Sequence, residues 1–407
     1  MSHRPSQAGL SMIELMVALL LSTLLLLGLV QIFSASKTSF QMAQGLARVQ
    51  ETSRFALDYL QRDARLAGHF GCVNDQAHFN SPTPGMFGEL FLSDRSNYST
   101  VPTGIGNVDA LRFDFSIQGF DAVGTAPGGT VDLNTLVAGG KADWSPELPA
   151  SLMDLVPKPI KGSDVLILRS LSSESADITE FAPGKISVNG AQWPVLTQDI
   201  DKGGLFAIAD CRAVVMFHAT AVAPGNATKP TVLTITKGAV NQSEFDGSDT
   251  FAPGQSRVYR ADSFVYYVGL NDRDQPSLYR ARYNIEPAAA KVVLAGGAPE
   301  QLVDGVENMQ FLFGQDSVTD ATQQPIGLIE NVRSVADLLP KDDLRVAWQR
   351  VGALQVGLLV RSTDPASAVQ KTTSPLALGT SYKLPGDGRY RNVYEANIAL
   401  RNRLFGN

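Results

Sequence analysis

The chain has 407 residues, of which 44% are hydrophobic and 18% are charged, and its formal net charge is −6. This composition excludes a disordered polymer, and the length allows one large core or two ordinary ones. The acidic balance, without a basic stripe along the sequence, excludes a nucleic-acid-binding surface. Most of the 36 glycines and 22 prolines follow residue 67. We therefore expect an α+β protein with helix at the front and short strands between turns in the rest.

The first predicted element is an apolar helix. No charged residue occurs between Leu15 and Phe33, and a helix of this length spans the hydrocarbon of a bilayer. The sequence therefore predicts a membrane span over about residues 15–33. The alternative is a signal peptide cleaved near residues 34–36, which read Ser-Ala-Ser. The apolar run is too long for that, and Glu14 stands where such a peptide prefers positive charge.

The helical pattern continues beyond the membrane span, and one helix is predicted from about residue 10 to 67. Apolar and small residues recur at steps of three and four, which is typical of an amphipathic helix. Small residues in such a stripe suit a sheet better than a coiled-coil stalk, so the half at about 37–67 should pack on the chain's own β-rich region. The stripe consists of Met42, Leu46, Val49, Ser53, Ala56, Leu60, Ala64 and Ala67, and the exposed polar faces carry Arg48, Glu51, Arg54, Asp58, Arg62, Asp63 and Arg65.

The region after the helix, which we call the head (residues 68–407), is predicted to be rich in strands. Apolar and β-branched runs there are separated by glycine and proline turns. Predicted strands lie at 109–115, 164–168, 213–217, 231–235, 264–268, 310–313 and 353–360, and short helices at 335–339 and 342–350.

No residue pattern in the head has the spacing of a catalytic or metal site. The four histidines do not form a zinc-binding motif, and no phosphate loop or nucleophile elbow occurs in the sequence. The acidic stretch Asn271–Asp274 lacks the closing glutamate of a calcium loop, so it predicts a hairpin turn. The aromatic residues Phe264, Tyr266, Tyr267 and Tyr279 are expected in the core. We therefore expect a non-enzymatic protein without a cofactor or a metal.

The two cysteines, Cys72 and Cys211, allow either a disulfide or two buried thiols, and their spacing alone does not decide between them. A head outside the cytoplasm would favour the disulfide, because such compartments oxidise neighbouring thiols.

The amino terminus resembles the class III signal of type IV pilins and type II secretion pseudopilins. A short polar leader ends in Gly9, the apolar helix begins at Leu10, and Glu14 is the fifth residue after that glycine within the stretch IELMVAL. The resemblance implies cleavage after Gly9 by a prepilin peptidase, N-methylation of Leu10 and retention of the helix. The family usually has phenylalanine where this chain has Leu10. The implied organisation is a leader at 1–9, a helix at 10–67 and a head at 68–407.

Glu14 has a physical role in such a protein. Cleavage would create a positive amine at Leu10, and Glu14 follows it by four residues on the same helical face. In lipid each charge alone is costly, whereas the pair costs far less. The amine could belong to the same helix or to a neighbouring subunit, and the resemblance implies the neighbour. We therefore expect Glu14 to form an assembly salt bridge.

Several stretches of the chain resemble one subfamily, the PilW minor pilins. The resemblance implies a subunit that joins other minor pilins and the major pilin in a priming or tip complex, supports twitching motility and adhesion, and presents a PilY-type tip adhesin. It implies an inner-membrane anchor with a periplasmic head before assembly, and it favours a Cys72–Cys211 disulfide. Residues 120–160 and 220–260 match no part of this pattern. The stretches are Ala64–Gly68, Gly71-Cys72, Asp210-Cys211, Tyr279-Arg280, Gly305–Gln310 with Gly314 and Asp316, Leu358–Ser362, Arg389–Arg391 and Leu400–Arg403.

Two alternatives stay open at this point. A pseudopilin of type II secretion shares the leader and the helix. A signal-anchored enzyme or surface receptor with a β-rich head shares only the membrane span. A mature chain that keeps residues 1–9, or that begins at Lys37, would favour the second alternative.

Overall fold

A computed structural model describes residues 11–74, 87–92, 109–198, 203–245, 249–320, 322–323, 325–366 and 374–403. One long helix leads into a head made mostly of strands, as the sequence predicts. The helices are α1 (Met12–Leu66), α2 (Ala150–Met153), α3 (Trp193–Leu196) and α4 (Leu344–Gln349). The strands are β1 (His69–Phe70), β2 (Val73–Asn74), β3 (Phe87–Leu90), β4 (Ile117–Ala122), β5 (Thr130–Asp132), β6 (Trp144–Ser145), β7 (Val165–Ala182), β8 (Lys185–Val188), β9 (Leu205–Ala209), β10 (Ala213–His218), β11 (Ala221–Ala223), β12 (Thr231–Thr234), β13 (Arg257–Leu270), β14 (Pro276–Ile285), β15 (Val292–Leu294), β16 (Glu300–Asp304), β17 (Val306–Asp316), β18 (Ile329–Arg333), β19 (Val351–Arg361), β20 (Leu376–Ala377), β21 (Thr380–Lys383) and β22 (Arg391–Ala399).

The described strands form one large sheet and three smaller ones. The large sheet runs in the order β11-β12-β8-β7-β13-β9-β10-β3, with β14 to β16 added beside β13 and with β4 and β6 added beside β7. A four-stranded antiparallel sheet has the order β18-β17-β19-β22. Strands β20, β21 and β5 form a third sheet, and β1 and β2 form a hairpin. The two longest strands, β7 and β13, pair along most of their length and hold the large sheet together.

Most predicted elements of the head are present. Six of the seven predicted strands overlap β7, β10, β12, β13, β17 and β19. The predicted turn at Asn271–Asp274 joins β13 to β14, and the Asn271 N–H donates to the Gln275 carbonyl at 2.9 Å. The two predicted short helices correspond to a 3₁₀ turn at Val335–Asp337 and to α4, whose N-cap is Asp343.

The predicted strand at 109–115 is wrong. The structure has a 3₁₀ turn at Asp109–Leu111, and the next strand, β4, begins only after residue 116. The apolar alternation of this stretch suggested a strand, but its backbone bonds to side chains instead. The Ala110 carbonyl accepts hydrogen bonds from Arg169 Nε at 3.1 Å and from the Ser263 hydroxyl. A carbonyl engaged in this way is not available to a sheet ladder.

The second half of α1 packs over the four-stranded sheet and over the adjoining part of the large sheet. It contacts β22, β19, β17, β7 and β16. Burial of apolar area is the main stabilising contribution at such a junction. The core beneath the helix includes Leu166, Leu168, Met309, Phe311, Phe313, Leu354, Val356, Leu358 and Ile398.

Two buried carboxyl groups link the large sheet to the elements beneath the helix. The register of β4 and β7, continued by one residue, places Asp121 opposite Asp164. Asp164 accepts hydrogen bonds from the N–H groups of Ala122 and Phe311, both at 2.8 Å, and Asp121 accepts one from the Val335 N–H at 2.7 Å. Burial, and then the charge of Asp121, raises the pKa of Asp164 well above its usual value. Burial also raises the pKa of Asp121 to about 7.

We expect Asp121→Asn to flatten the pH dependence of stability. The pKa of Asp121 is raised in the folded protein, so folding favours the protonated carboxyl group. The stability that this group contributes is therefore fully present below its usual pKa of 3.8 and is lost as the pH rises through about 7. The unfolding free energy of the wild-type full chain in detergent should fall by on the order of 2 kcal/mol between about pH 5 and about pH 8. Urea denaturation across this range measures it.

The control is Asp342→Asn, which changes an exposed aspartate and should keep the wild-type pH slope. If the unfolding free energies of the wild type and Asp121→Asn changed equally with pH, the raised pKa of Asp121 would be contradicted.

Candidate assembly interface

The first half of α1 is exposed along its length. Helix Met12–Leu66 contains one stretch that is long and apolar enough to cross a membrane, and none of that stretch is buried. The large apolar side chains from Met12 to Phe33 are between 51% and 84% exposed. A continuous apolar surface of this size marks a site of contact with lipid or with other apolar surfaces.

The helix begins with a reciprocal cap. Ser11 has an extended backbone, with φ −65° and ψ 143°, and its Oγ accepts a hydrogen bond from the Ile13 N–H at 3.4 Å. In return, the Ser11 N–H donates to Glu14 Oε2 at 3.0 Å. These bonds satisfy donors that the first turn of a helix leaves unpaired, and the helix dipole also favours a carboxylate there. The predicted cleavage residues, Gly9 and Leu10, lie outside the described residues.

The second half of α1 has a narrow buried face. This face begins at Gly45 rather than at Met42, which is 40% exposed. A Cβ atom on Gly45 would lie 2.7 Å from the Cβ of Ala366, so a larger residue would push the helix away from the head. From Val49 onward, every residue of the predicted stripe is buried. The buried face consists of Gly45, Val49, Ser53, Ala56, Leu60, Asp63, Ala64 and Ala67.

The prediction that Asp63 lies on an exposed face is wrong. Its carboxylate accepts hydrogen bonds from Arg280 Nη1 at 2.9 Å and from the Tyr266 hydroxyl, and Arg280 also pairs with Glu300 at 2.8 Å. Burial, and then the Asp63 charge, raises the pKa of Tyr266 well above its usual value, so the hydroxyl stays protonated and donates. The sequence contained a signal for this position, because Asp63 follows Leu60 by three residues on the buried face.

A second ionic cluster lies within the four-stranded sheet. Glu307 on β17 is fully buried, and its carboxylate lies between Arg361 on β19 and Arg391 on β22. Arg361 Nη1 lies 3.1 Å from Glu307 Oε1, and Arg391 Nε lies 2.7 Å from Oε2. Asp387 pairs with the other side of Arg391 at 2.6 Å. Charge-assisted bonds of this kind are short and directional, and here they join three strands of the sheet that supports α1.

Asn402, in the last described segment of the head, binds the end of the helix. Asn402 Nδ2 donates to the Arg65 carbonyl at 2.9 Å, which satisfies one of the carbonyls that the last turn leaves unpaired. Arg403 is fully buried and donates from Nη1 to the Trp348 carbonyl at 3.0 Å. Asn402 is therefore part of the interface between helix and head, and Arg403 is part of the core beside it.

Cys72 and Cys211 form a disulfide, with their Cα atoms 4.8 Å apart and a sequence separation of 139 residues. Cys72 lies in the β1–β2 hairpin directly after α1, and Cys211 lies between β9 and β10. The bond therefore ties the end of the helix to the large sheet.

The sequence-predicted site residues fall into two places. Glu14 is at the exposed end of α1, whereas the two cysteines are at the opposite end of the helix, where it joins the head. The sequence stretches that resemble PilW contain Arg280, which binds Asp63 on α1, and Glu307, which pairs within the four-stranded sheet. The partners of these residues are known only from the structure. Among the described residues, no group of three or more histidine, cysteine, aspartate or glutamate side chains could hold a metal ion. These contacts hold the second half of α1 on the head and leave its apolar first half exposed.

Comparison with known families gives two matches that cover the two ends of the chain. Residues 265–402 match PilW, the type IV pilus-assembly protein W. Residues 4–30 match the prokaryotic N-terminal methylation motif. Searches of curated proteins and of solved structures found no match. The first match contains Arg280 and Glu307, and the second contains Ser11 and Glu14. The carboxy-terminal third of the chain is therefore similar to PilW, the type IV pilus-assembly protein W, and its amino terminus is similar to the prokaryotic N-terminal methylation motif.

Proposed function

We propose that this chain is a minor pilin that assembles through α1 into a priming or tip complex of a type IV pilus. The proposed organisation is a leader at 1–9, an assembly helix at 10–67 and a periplasmic head at 68–407. The prepilin peptidase removes the leader after Gly9, and Leu10 is then N-methylated. The observation that carries the proposal is an exposed apolar helix, bearing the methylation motif, held on a large head by contacts from the PilW-matching region.

The large head supports a position at the pilus tip, because a bulky body is awkward to repeat along a tight helical filament. At the tip it would contact other minor pilins, the major pilin below and a PilY-type adhesin above, and so support twitching motility and adhesion. Electron microscopy of pili carrying a label on the head tests this position. Labels at one end support it, and labels spaced along the shaft would overturn it.

Glu14 is proposed to pair with the positive amine at Leu10 of a neighbouring subunit in the membrane. Within the isolated chain the carboxylate already accepts the Ser11 N–H, which holds it in the first turn where an incoming amine can reach it. The pair that the carboxylate forms with this amine is favoured in lipid over either charge alone.

Glu14→Ala should insert normally but appear in sheared pili at a level more than about tenfold below wild type. An unpaired amine in lipid costs more than the roughly 1.4 kcal/mol that a factor of ten represents. Quantitative immunoblots of membrane and pilus fractions measure the two pools. Glu51→Ala, which removes an exposed carboxylate from the same helix, is the matched control. Wild-type recovery of Glu14→Ala in pili would exclude the proposed pairing.

A pseudopilin of type II secretion remains the second candidate, because the motif at residues 4–30 is common to both systems. The match at 265–402 favours the pilus. Deletion of the gene should abolish twitching and leave protein secretion intact, and the reverse result would favour the pseudopilin.

A further inference from the structure

We propose that a cavity beside β5 binds a neutral sugar through its hydroxyl, amide and valine side chains. The cavity has a volume of about 320 Å³, at the lower end of the range for small-molecule sites, which suits a single sugar ring. It is formed by residues between 123 and 137, together with Lys161 and Gly162, all of which lie outside the two family matches. The inference names a ligand class for the adhesion in the proposed function, and it rests on that function for where the site would act.

The walls of the cavity are held from two sides. Strand β5 pairs in parallel with β21 over all three of its residues. On the other side, the Gly162 carbonyl accepts hydrogen bonds from Asn308 Nδ2 at 2.6 Å and from Gln310 Nε2 at 3.0 Å, both on β17. A site whose backbone is already fixed loses less conformational entropy when a ligand binds.

The two charged side chains that line the cavity are already paired. Asp132 Oδ2 lies 2.9 Å from Lys383 Nζ, and Lys161 Nζ lies 2.7 Å from Asp143 Oδ1. The Asn134 N–H, and then Lys383, lower the pKa of Asp132 to about 2, so its carboxylate stays ionised and accepts hydrogen bonds. A charged ligand would have to compete with these ion pairs, whereas a neutral ligand would not. The charge balance therefore favours an uncharged ligand.

The uncharged polar groups of the cavity have hydrogen-bonding capacity left. Among the described residues, neither the Thr135 hydroxyl nor Asn134 Oδ1 has a partner, and both side chains are exposed. Ser381 Oγ donates to the Gly129 carbonyl at 3.0 Å, so Thr130 is the donor in its 2.7 Å bond with Ser381 and can still accept from a ligand. Closely spaced donors and acceptors of this kind match the hydroxyl groups of a sugar.

Apolar side chains lie between these polar groups. Val123 and Val137 are 59% and 47% exposed, and Val131 also lines the cavity. The C–H groups of a sugar ring would remove part of this apolar surface from water, while its hydroxyls bond to the polar groups. Water would satisfy only the polar groups.

The test is saturation-transfer NMR on the full chain in a detergent without a sugar headgroup. The probes are D-glucose, D-galactose and D-mannose, each at about 10 mM, which nearly saturates a site with a Kd of about 1 mM. At least one of these hexoses should receive saturation from the protein. The uronate and the amino sugar that correspond to the bound hexose should bind at least about threefold more weakly, because they carry a charge.

Side-chain variants locate the binding. Thr135→Val should weaken it by about fivefold, because it removes a hydroxyl and keeps the shape of the side chain. Asn134→Ala, which removes an amide, should weaken it by about tenfold. Thr179→Val is the matched control, since it changes an exposed threonine on β7 outside the cavity, and it should bind like the wild type.

The results separate the sugar site from the proposed function. Binding of a hexose that both cavity variants weaken and the control keeps supports the proposal. No saturation of any of the three hexoses overturns it, as does wild-type binding by either cavity variant or tighter binding of a charged analogue. Because binding is measured on the unassembled chain, these failures leave the proposed function standing. Absence of the chain from pili would instead overturn the proposed function and leave the binding result intact.

Discussion

Glu307→Ala should lower the free energy of unfolding by about 3 to 5 kcal/mol. The Glu307 carboxylate is fully buried and lies 3.1 Å from Arg361 and 2.7 Å from Arg391. Its removal takes the anion from the Arg361 guanidinium and leaves Arg391 paired with Asp387 alone, and burial of an uncompensated charge is costly. Urea denaturation of the full chain in detergent, followed by tryptophan fluorescence, measures the change. Trp144, Trp193 and Trp348 are all buried and should report the loss of the core.

Glu330→Ala is the control for this experiment, because it truncates the same side chain at an exposed position on the edge strand β18. It should change the unfolding free energy by less than about 0.5 kcal/mol. A loss of under 1 kcal/mol for Glu307→Ala would mean that the ionic cluster contributes little to the sheet beneath α1.

Removing the disulfide is expected to have an effect of similar size. The bond closes a separation of 139 residues, and the chain-entropy model gives about 5 kcal/mol for a loop of that length. Strain in the folded protein would make the measured value smaller. The double variant Cys72→Ala/Cys211→Ala should therefore unfold at a clearly lower urea concentration than the oxidised wild type.

Reductant provides the matching control. It should move the wild type towards the double variant and leave the double variant unchanged. A double variant as stable as the oxidised wild type would contradict the role of the bond in tying the end of α1 to the large sheet.

The helix and most strands could be predicted because their signals are local. The stripe from Val49 to Ala67 repeats at helical spacing, and each of its members is buried. The strands at 264–268 and 353–360 are apolar runs between turns. The local pattern predicted a strand wrongly at 109–115, because there the Ala110 carbonyl accepts a hydrogen bond from Arg169, a residue far along the chain.

The buried ionic contacts of Asp63 and Glu307 could not be predicted from local patterns. Asp63 was expected on an exposed face because it is charged, yet its partners Tyr266 and Arg280 lie more than 200 residues away in sequence. Glu307 and Arg391 belong to stretches that suggested the family, but only the registers of β17 with β19 and of β19 with β22 bring them together. Long-range pairing of this kind depends on strand order, which the sequence left open.

The most direct test of the central claim is the intact mass of the mature chain isolated from the native host. Processing as a pilin predicts an amino terminus at Leu10 carrying one additional methyl group, with the whole of α1 retained. A chain that keeps residues 1–9, or that begins at Lys37 after cleavage of an ordinary signal peptide, would contradict it.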